Sequence, residues 1–327
     1  VRRLIGLVFI LVLAAGGAGF WWVNQPLALR TPVVDLAIEP GTSARGVAQD
    51  AVDAGVQTST QLLYWWFRVS GESRQIKAGS YELQGEVTPR SLLAKLVRGE
   101  EALRAVTLVE GLTFKQFRQS LLKAEQLTPD TQGLAPDLIM QKLGLPGVAP
   151  EGRFYPDTYT YTKGSSDLGV LQRAQHAMQR HLDAAWQLRP ADSPLKTPDE
   201  LLILASIIEK ETGQASDRPM IASVFTNRLR IGMMLQTDPT VIYGMGDKFD
   251  GNLRRRDLQT DTPWNTYTRG GLPPTPIAMP GKAALLAAAQ PAKSKALYFV
   301  ARGDGSSQFS DSLEAHNRAV AQYQLGR

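Results

Sequence analysis

Residues 201–246 read LLILASIIEKETGQASDRPMIASVFTNRLRIGMMLQTDPTVIYGMG, and the rest of the chain is legible from this stretch outward. Directly before it, Thr197-Pro198-Asp199-Glu200 is a helix start, with a hydroxyl to cap, a proline at the first helical position and a glutamate three residues after the cap. LLILASII follows, with Ser206 its one weak polar group. A helix apolar on every side belongs inside a core. Two carboxylates, Glu209 and Glu211, close it. A carboxylate at the end of a buried helix is costly to ionise, so its pKa rises, and a raised carboxyl suits a general acid working near neutral pH. A solvated helix end has the same pattern. Spacing does not choose between the two glutamates either. At about 100° per residue, Glu209 shares a side with Leu202 and Ala205, and Glu211 with Leu204 and Ile207.

Downstream, Ala222–Leu229 resumes a helical apolar pattern and carries Asn227 and Arg228. LQTDPTVIYG then packs Gln236, Thr237, Asp238, Thr240 and Tyr243 around one proline. A dense polar set on a loop-like segment between apolar runs reads as a ligand surface.

These motifs resemble the membrane-anchored endolytic murein transglycosylases, the YceG-like family. The matching residues are LASIIEKET (204–212), ASVFTNRLRIGMMLQTDPTVIYG (222–244), NTY (265–267), GLPPTPIA.PG (271–281), LYFVA (297–301) and HN (316–317). The resemblance implies cleavage of the MurNAc–GlcNAc β-1,4 bond of peptidoglycan with 1,6-anhydro ends. It also implies that the first glutamate of EKET, Glu209, is the catalytic acid/base. Gln236, Asp238, Thr240 and Tyr243 are candidates to orient the sugar. The segment APEGRFYPDTYTY (149–161) resembles the family's EG..YPDTY, and it offers Glu151 and Asp157 as a second carboxylate or as members of a structural turn. A histidine frequent in the family's GGHTF-like segment is replaced by Ser307.

Working towards the N-terminus, LIGLVFILVLAAGGAGFWWV (4–23) is uncharged and long enough to span a bilayer as a helix. Arg2 and Arg3 before it orient the N-terminus inwards; a cleaved signal peptide is the competing reading. Residues 24–32 form a tether. Residues 33–103 read strand–helix–helix–strand, followed by a helix from Thr88-Pro89 to Gly99. This order resembles the family's LysM-like module, and Tyr64, Trp65, Trp66 and Phe67 divide between core packing and sugar stacking. AIEPGTSARGVAQDA (37–51) is echoed by TLVEGLTFKQFRQSL (107–121), a reused strand–turn–helix unit that opens a second domain over 104–327.

The expected fold is therefore α+β: an N-terminal transmembrane helix, a LysM-like module and a larger mixed catalytic domain. At 327 residues the chain holds two or three cores. It contains no cysteine, which excludes disulfides and thiolate metal sites. Its net charge of +5 is modest, and the run Arg254-Arg255-Arg256 lacks the interleaved aromatics of a nucleic-acid surface, so no nucleic-acid partner is expected. His176 and His181 stand five apart rather than the four of a zinc helix, so no metal and no cofactor are expected. Expected partners are peptidoglycan glycan strands, the inner membrane through a single-pass anchor with the catalytic domain in the periplasm, and peptidoglycan synthases. A hydrolytic muramidase, with Asp238 or Glu151 activating water, and a non-catalytic wall-binding scaffold are the alternatives.

Overall fold

The computed structural model describes residues 2–326, with side chains except at positions 2–5, 7, 8 and 12. The chain divides into two compact units, Val1–Arg104 with Thr160–Gly164, and Ala105–Tyr159 with Ser165–Arg327.

The N-terminal elements are α1 (Arg2–Val23), β1 (Ala28–Leu29), β2 (Val33–Ile38), α2 (Ala44–Ala54), β3 (Val56–Gln57), α3 (Thr60–Val69), β4 (Gly79–Gln84) and α4 (Pro89–Arg98). Strands β2 and β4 pair antiparallel, from Val33 opposite Gln84 to Ile38 opposite Gly79. VVDLAI alternates as a half-buried strand should, and Val34, Leu36 and Ile38 turn inwards. They meet Val47, Ala48 and Ala51 of α2, Leu63 and Phe67 of α3, and Leu92, Leu93 and Leu96 of α4. Ser43 caps α2, Thr88 and Ser91 form a reciprocal capping box on α4, and Gly99 ends α4 in the left-handed region at φ 70°. The four consecutive aromatics divide. Phe67 is fully buried, Trp66 packs on the core and donates Nε1–H to the Pro89 carbonyl at 3.0 Å, and Trp65 is exposed.

Helix α1 coincides with the apolar run at 4–23, of which positions 4, 5, 7, 8 and 12 lie outside the described side chains. Among the described residues, no helix is long and apolar enough to cross a membrane.

The remaining elements are β5 (Leu103–Thr107), α5 (Phe114–Leu122), α6 (Pro136–Lys142), β6 (Thr158–Thr162), α7 (Asp167–Gln187), α8 (Pro198–Glu211), α9 (Arg218–Arg230), α10 (Asp238–Met245), α11 (Arg255–Gln259), α12 (Lys282–Ala289), β7 (Tyr298–Ala301), β8 (Ser307–Ser310) and α13 (Leu313–Tyr323). All sheets among the described residues are two-stranded ribbons, β5 pairing with β6 and β7 antiparallel with β8. The fold is mixed α+β. The echo at 37–51 and 107–121 appears as two strand–turn–helix units, with Gly41 and Gly111 at positive φ and Ser43 and Thr113 as N-caps.

Helix α8 is the centre of the second unit. Thr197 caps it by accepting the Glu200 N–H at 3.1 Å, and Pro198 sits in its first turn. Every residue from Leu201 to Ile208 is buried, against side chains of α7, α9 and α12. Ser206 is satisfied inside this core: its hydroxyl donates to the Ile203 carbonyl at 2.7 Å and accepts the Ile277 N–H at 3.0 Å. LQTDPTVIYG departs from the loop-like expectation, since Asp238–Met245 is helical. Pro239 falls in the first turn of α10, where a missing N–H has no partner to lose.

Candidate active site

The buried run of α8 ends in Glu209-Lys210-Glu211, and the helix stops at Thr212, whose backbone is extended. Residues two apart on a helix diverge by about 200°. The two carboxylates accordingly enter different surroundings.

Glu209 enters a filled one. Its Oε2 accepts the Gly281 N–H at 2.9 Å, and its Oε1 lies 3.6 Å from the Arg218 guanidinium. Burial raises its pKa and Glu110 adds to the rise, while the Gly281 N–H, Arg218 and Lys210 work against it.

Glu211 is buried at the edge of a cavity. It lines a cavity of about 500 Å³ together with Arg228, Gln236, Thr237, Asp238, Tyr267, Tyr298 and His316. Thr237 is the N-cap residue of α10, yet its hydroxyl does not cap that helix; it donates to Glu211 Oε1. Burial raises the Glu211 pKa. The Thr237 hydroxyl opposes this, the neighbouring Asp238 charge raises it further, and Arg228 lowers it. Arg228 is itself buried and committed to structure: Nε donates to the Leu297 carbonyl and Nη1 to the Leu235 carbonyl, each at 2.7 Å. Asp238 accepts the Tyr267 hydroxyl at 2.6 Å. His316 stacks on Tyr298 with ring centres 5.2 Å apart; burial and then Arg228 lower its pKa, which favours the neutral imidazole.

The loop carrying these groups is held from behind. The Gln236 and Thr237 N–H groups donate to the Thr266 carbonyl and hydroxyl, each at 3.1 Å. The buried Thr240 hydroxyl donates to the Thr237 carbonyl at 2.7 Å and lies 2.9 Å from the Thr266 hydroxyl. Asn265 donates to the Leu258 and Thr260 carbonyls, so NTY is a scaffold for this rim. Gln236 adopts φ +48°, rare for a residue with a Cβ.

The sequence candidates thus separate. Gln236 and Asp238 share the cavity of Glu211, whereas Thr240 is buried in the scaffold. Tyr243 belongs elsewhere and donates its hydroxyl to Glu151 Oε2 at 3.1 Å. Glu151 is buried, caps the N-terminus of α5 through the Phe114 N–H at 3.0 Å, and is pushed by burial up to about 7. Neither lines the cavity of Glu211. Asp157 is exposed, accepts its own neighbour's N–H from Thr158 at 2.7 Å, and offers its carbonyl to Leu108 at 2.9 Å. The partners of Glu209, namely Glu110 and Arg218, carry no sequence signal of their own, because they are brought together from three separate segments. A larger cavity of about 670 Å³ beside Asn227 and Arg230 includes no residue of α8. Among the described residues no three His, Cys, Asp or Glu side chains form a metal-binding group, and His181 stacks on Tyr155.

A carboxyl with a raised pKa, set among hydroxyl, amide and aromatic groups around an open cavity, fits an enzyme acting on a polar polymer such as a glycan. The chain belongs to the YceG-like family, which it matches over residues 36–322. It is 30% identical over 312 residues to the endolytic murein transglycosylase of Bacillus subtilis strain 168, covering 89% of this chain and 84% of that one. It is 28% identical to the endolytic murein transglycosylase of Streptococcus pneumoniae D39 over an alignment of 356 positions, covering 97% of this chain but 64% of that longer one. The crystal structure of a yceG-like protein from Listeria monocytogenes superposes with a TM-score of 0.55 at 29% identity, covering 88% of this chain and 98% of that one.

Proposed function

We propose that this protein is an endolytic peptidoglycan transglycosylase whose acid/base is Glu209. The observation that carries the assignment is the place of this carboxyl at the end of the buried α8, where burial and Glu110 raise its pKa and where Oε2 accepts the Gly281 N–H while Oε1 lies 3.6 Å from Arg218. Support for the substrate class comes from family membership and from the relatives' names.

The reaction requires one carboxyl. Protonated Glu209 donates its proton to the glycosidic oxygen as the bond between that oxygen and C1 of the MurNAc sugar breaks. The resulting carboxylate then takes the proton of the same sugar's C6 hydroxyl as O6 closes on C1. One C–O bond breaks, one forms, no water is consumed, and the carboxyl ends as it began. Asp238 carries the sign of charge that stabilises positive character at C1, and Gln236 and Tyr267, which line the same cavity, are the candidates to hold ring substituents.

The test is product analysis on uncross-linked glycan strands, wild type beside Glu209→Gln. Anhydro ends from the wild type and none from the folded variant support the reading. Reducing ends, one water heavier, move the protein to the hydrolases with Asp238 as the base, a reading favoured by its place in the cavity. No release at all leaves the scaffold.

The same reading makes residues 33–103 a LysM-like module, 104–327 the catalytic domain and 4–23 an inner-membrane anchor that keeps a periplasmic enzyme near nascent strands and their synthases. Support for the anchor is the outward exposure of Phe9, Ile10, Leu11, Leu13, Phe20 and Trp21 on the 22-residue α1. Release of the protein from membranes by alkaline carbonate would remove it.

A further inference from the structure

Glu209 shares its surroundings with a second carboxylate, Glu110, which the proton transfers above do not use. Glu110 precedes Gly111 in the turn between β5 and α5. Two backbone hydrogen bonds fasten this turn to the segment before α12. The Gly111 N–H donates to the Met279 carbonyl at 2.9 Å, and the Met279 N–H to the Leu112 carbonyl at 2.8 Å. Lys210 of α8 adds a third tie by donating to the Gly111 carbonyl at 3.1 Å. Gly281, the N-cap residue of α12, then receives both carboxylates. Its N–H donates to Glu209 Oε2 at 2.9 Å. The space a Cβ would fill is taken by Glu110, whose Oε2 would lie 1.9 Å from that atom. The φ of Gly281 is −81°, open to any residue, so what glycine supplies here is room. Arg218 of α9 lies beside both carboxyls, 3.6 Å from Glu209 Oε1 and 4.0 Å from Glu110 Oε1. Both separations exceed the roughly 2.7–2.9 Å of a charge-assisted hydrogen bond. One guanidinium thus stands against two carboxyls and is committed to neither.

The two differ in their access to water. The Glu209 side chain is 5% exposed and that of Glu110 is 50% exposed. Two carboxyls that share one cation repel each other when both are ionised, and the proton goes to the one whose charge is costlier to bury. We infer that Glu110 is a positioning residue for the reaction: through the shared Arg218 and across Gly281 it holds a negative charge beside Glu209, so that the buried member of the pair keeps the proton it must donate. This rests on the assignment of the acid to Glu209. The groups facing that carboxyl come from four elements and act with opposing signs. Burial raises its pKa and the α12 N–H of Gly281 opposes this; Glu110 of the turn raises it, and Arg218 of α9 and Lys210 of α8 lower it. Without Glu110, the charge of Arg218 would fall on Glu209 alone and draw the proton off it.

The experiment compares full-length wild type, Glu110→Gln, Glu110→Asp and Arg218→Gln on uncross-linked glycan strands, reading kcat and KM across pH beside circular dichroism melting of each. Removing the Glu110 charge lets Glu209 lose its proton sooner. The alkaline limb of the kcat profile of Glu110→Gln therefore moves to lower pH, with a loss of about tenfold on that limb and KM held. Removing the Arg218 charge does the reverse, and the limb of Arg218→Gln moves to higher pH. Glu110→Asp keeps the charge and restores the limb. Opposite movements are what a charge relation produces and a structural tie does not. Limbs that stay at the wild-type position in folded Glu110→Gln and Arg218→Gln overturn the inference, whatever the rate. A folded Glu110→Gln as inactive at every pH as Glu209→Gln would put Glu110 against the substrate and overturn it too. Where Glu110→Gln melts too early to assay, Arg218→Gln decides alone: a limb at higher pH supports the inference and an unmoved one overturns it. An active Glu209→Gln would instead remove the acid assignment on which the inference rests.

Discussion

Two positions on one helix, about 200° apart, carry carboxylates that the molecule treats differently. On the closed side of α8, the Glu209 oxygens face a backbone N–H and a guanidinium. On the open side, Glu211 has one hydrogen bond among the described residues, from Thr237, and faces a cavity. Burial raises both pKa values. A raised pKa is therefore not what distinguishes them. The difference lies in the partners: Glu209 has a backbone N–H on one oxygen with a guanidinium 3.6 Å from the other, and Glu211 has a hydroxyl. Glu151 has both oxygens occupied. It is pushed up to about 7 by burial, yet the Phe114 N–H and the Tyr243 hydroxyl occupy its oxygens.

Removing the acid should have the largest effect. Glu209→Gln, whose amide oxygen still accepts the Gly281 N–H, is expected to lower turnover by at least the 10²–10⁴-fold typical of losing a general acid, as measured by release of anhydro ends from glycan strands. Crowding the packing against Leu202 of α8 should act on stability instead. Gly152 lies at φ +79°, and a Cβ there would meet the Pro276 ring at 2.6 Å. Gly152→Ala is expected to cost about 2–4 kcal/mol in urea unfolding, with turnover per folded molecule preserved.

A third test uses Glu151. Its carboxyl is raised in the fold from an ordinary 4.5 to about 7. The stability it contributes is complete below the unfolded pKa and is lost as pH rises through about 7. At about 1.4 kcal/mol per unit, the decline reaches about 3 kcal/mol. Glu151→Gln should flatten the stability profile between pH 5 and 8 in denaturant titrations. The smallest expected effect separates the two carboxylates. The Thr237 hydroxyl holds the Glu211 pKa down and has no part in that of Glu209. Thr237→Val should leave the alkaline limb of the pH–rate profile unmoved while changing the maximal rate only a few-fold; a limb moved upwards would mean that Glu211 sets it.

Much of this was legible in the chain. LLILASII announced a buried helix because it is apolar all round, and Leu201–Ile208 are indeed buried. The strands VVDLAI and YFVA, the caps at Ser43, Thr88 and Thr197, and the family motifs were readable because each is written in consecutive residues. The assignment of partners was not. Periodicity placed Glu209 and Glu211 on different sides of α8 but said nothing of what each side faces. That depends on Gly281, Arg218 and Thr237, which arrive from 9 to 72 residues away. For the same reason Tyr243, read as a neighbour of Asp238, points to Glu151. Helix α10 carries the two to different places, and Thr240 between them is consumed by the scaffold.

The unusual backbone of Gln236 has a consequence for when cost is incurred. A left-handed conformation in a residue with a Cβ is unfavourable by roughly 1–2 kcal/mol, and here it stands on the rim of the Glu211 cavity. The cost falls once, during folding, and the Thr266 carbonyl that accepts the Gln236 N–H helps to hold the result. A strand entering the cavity would then meet a side-chain amide already in place, and little of its own binding would be consumed in ordering the site.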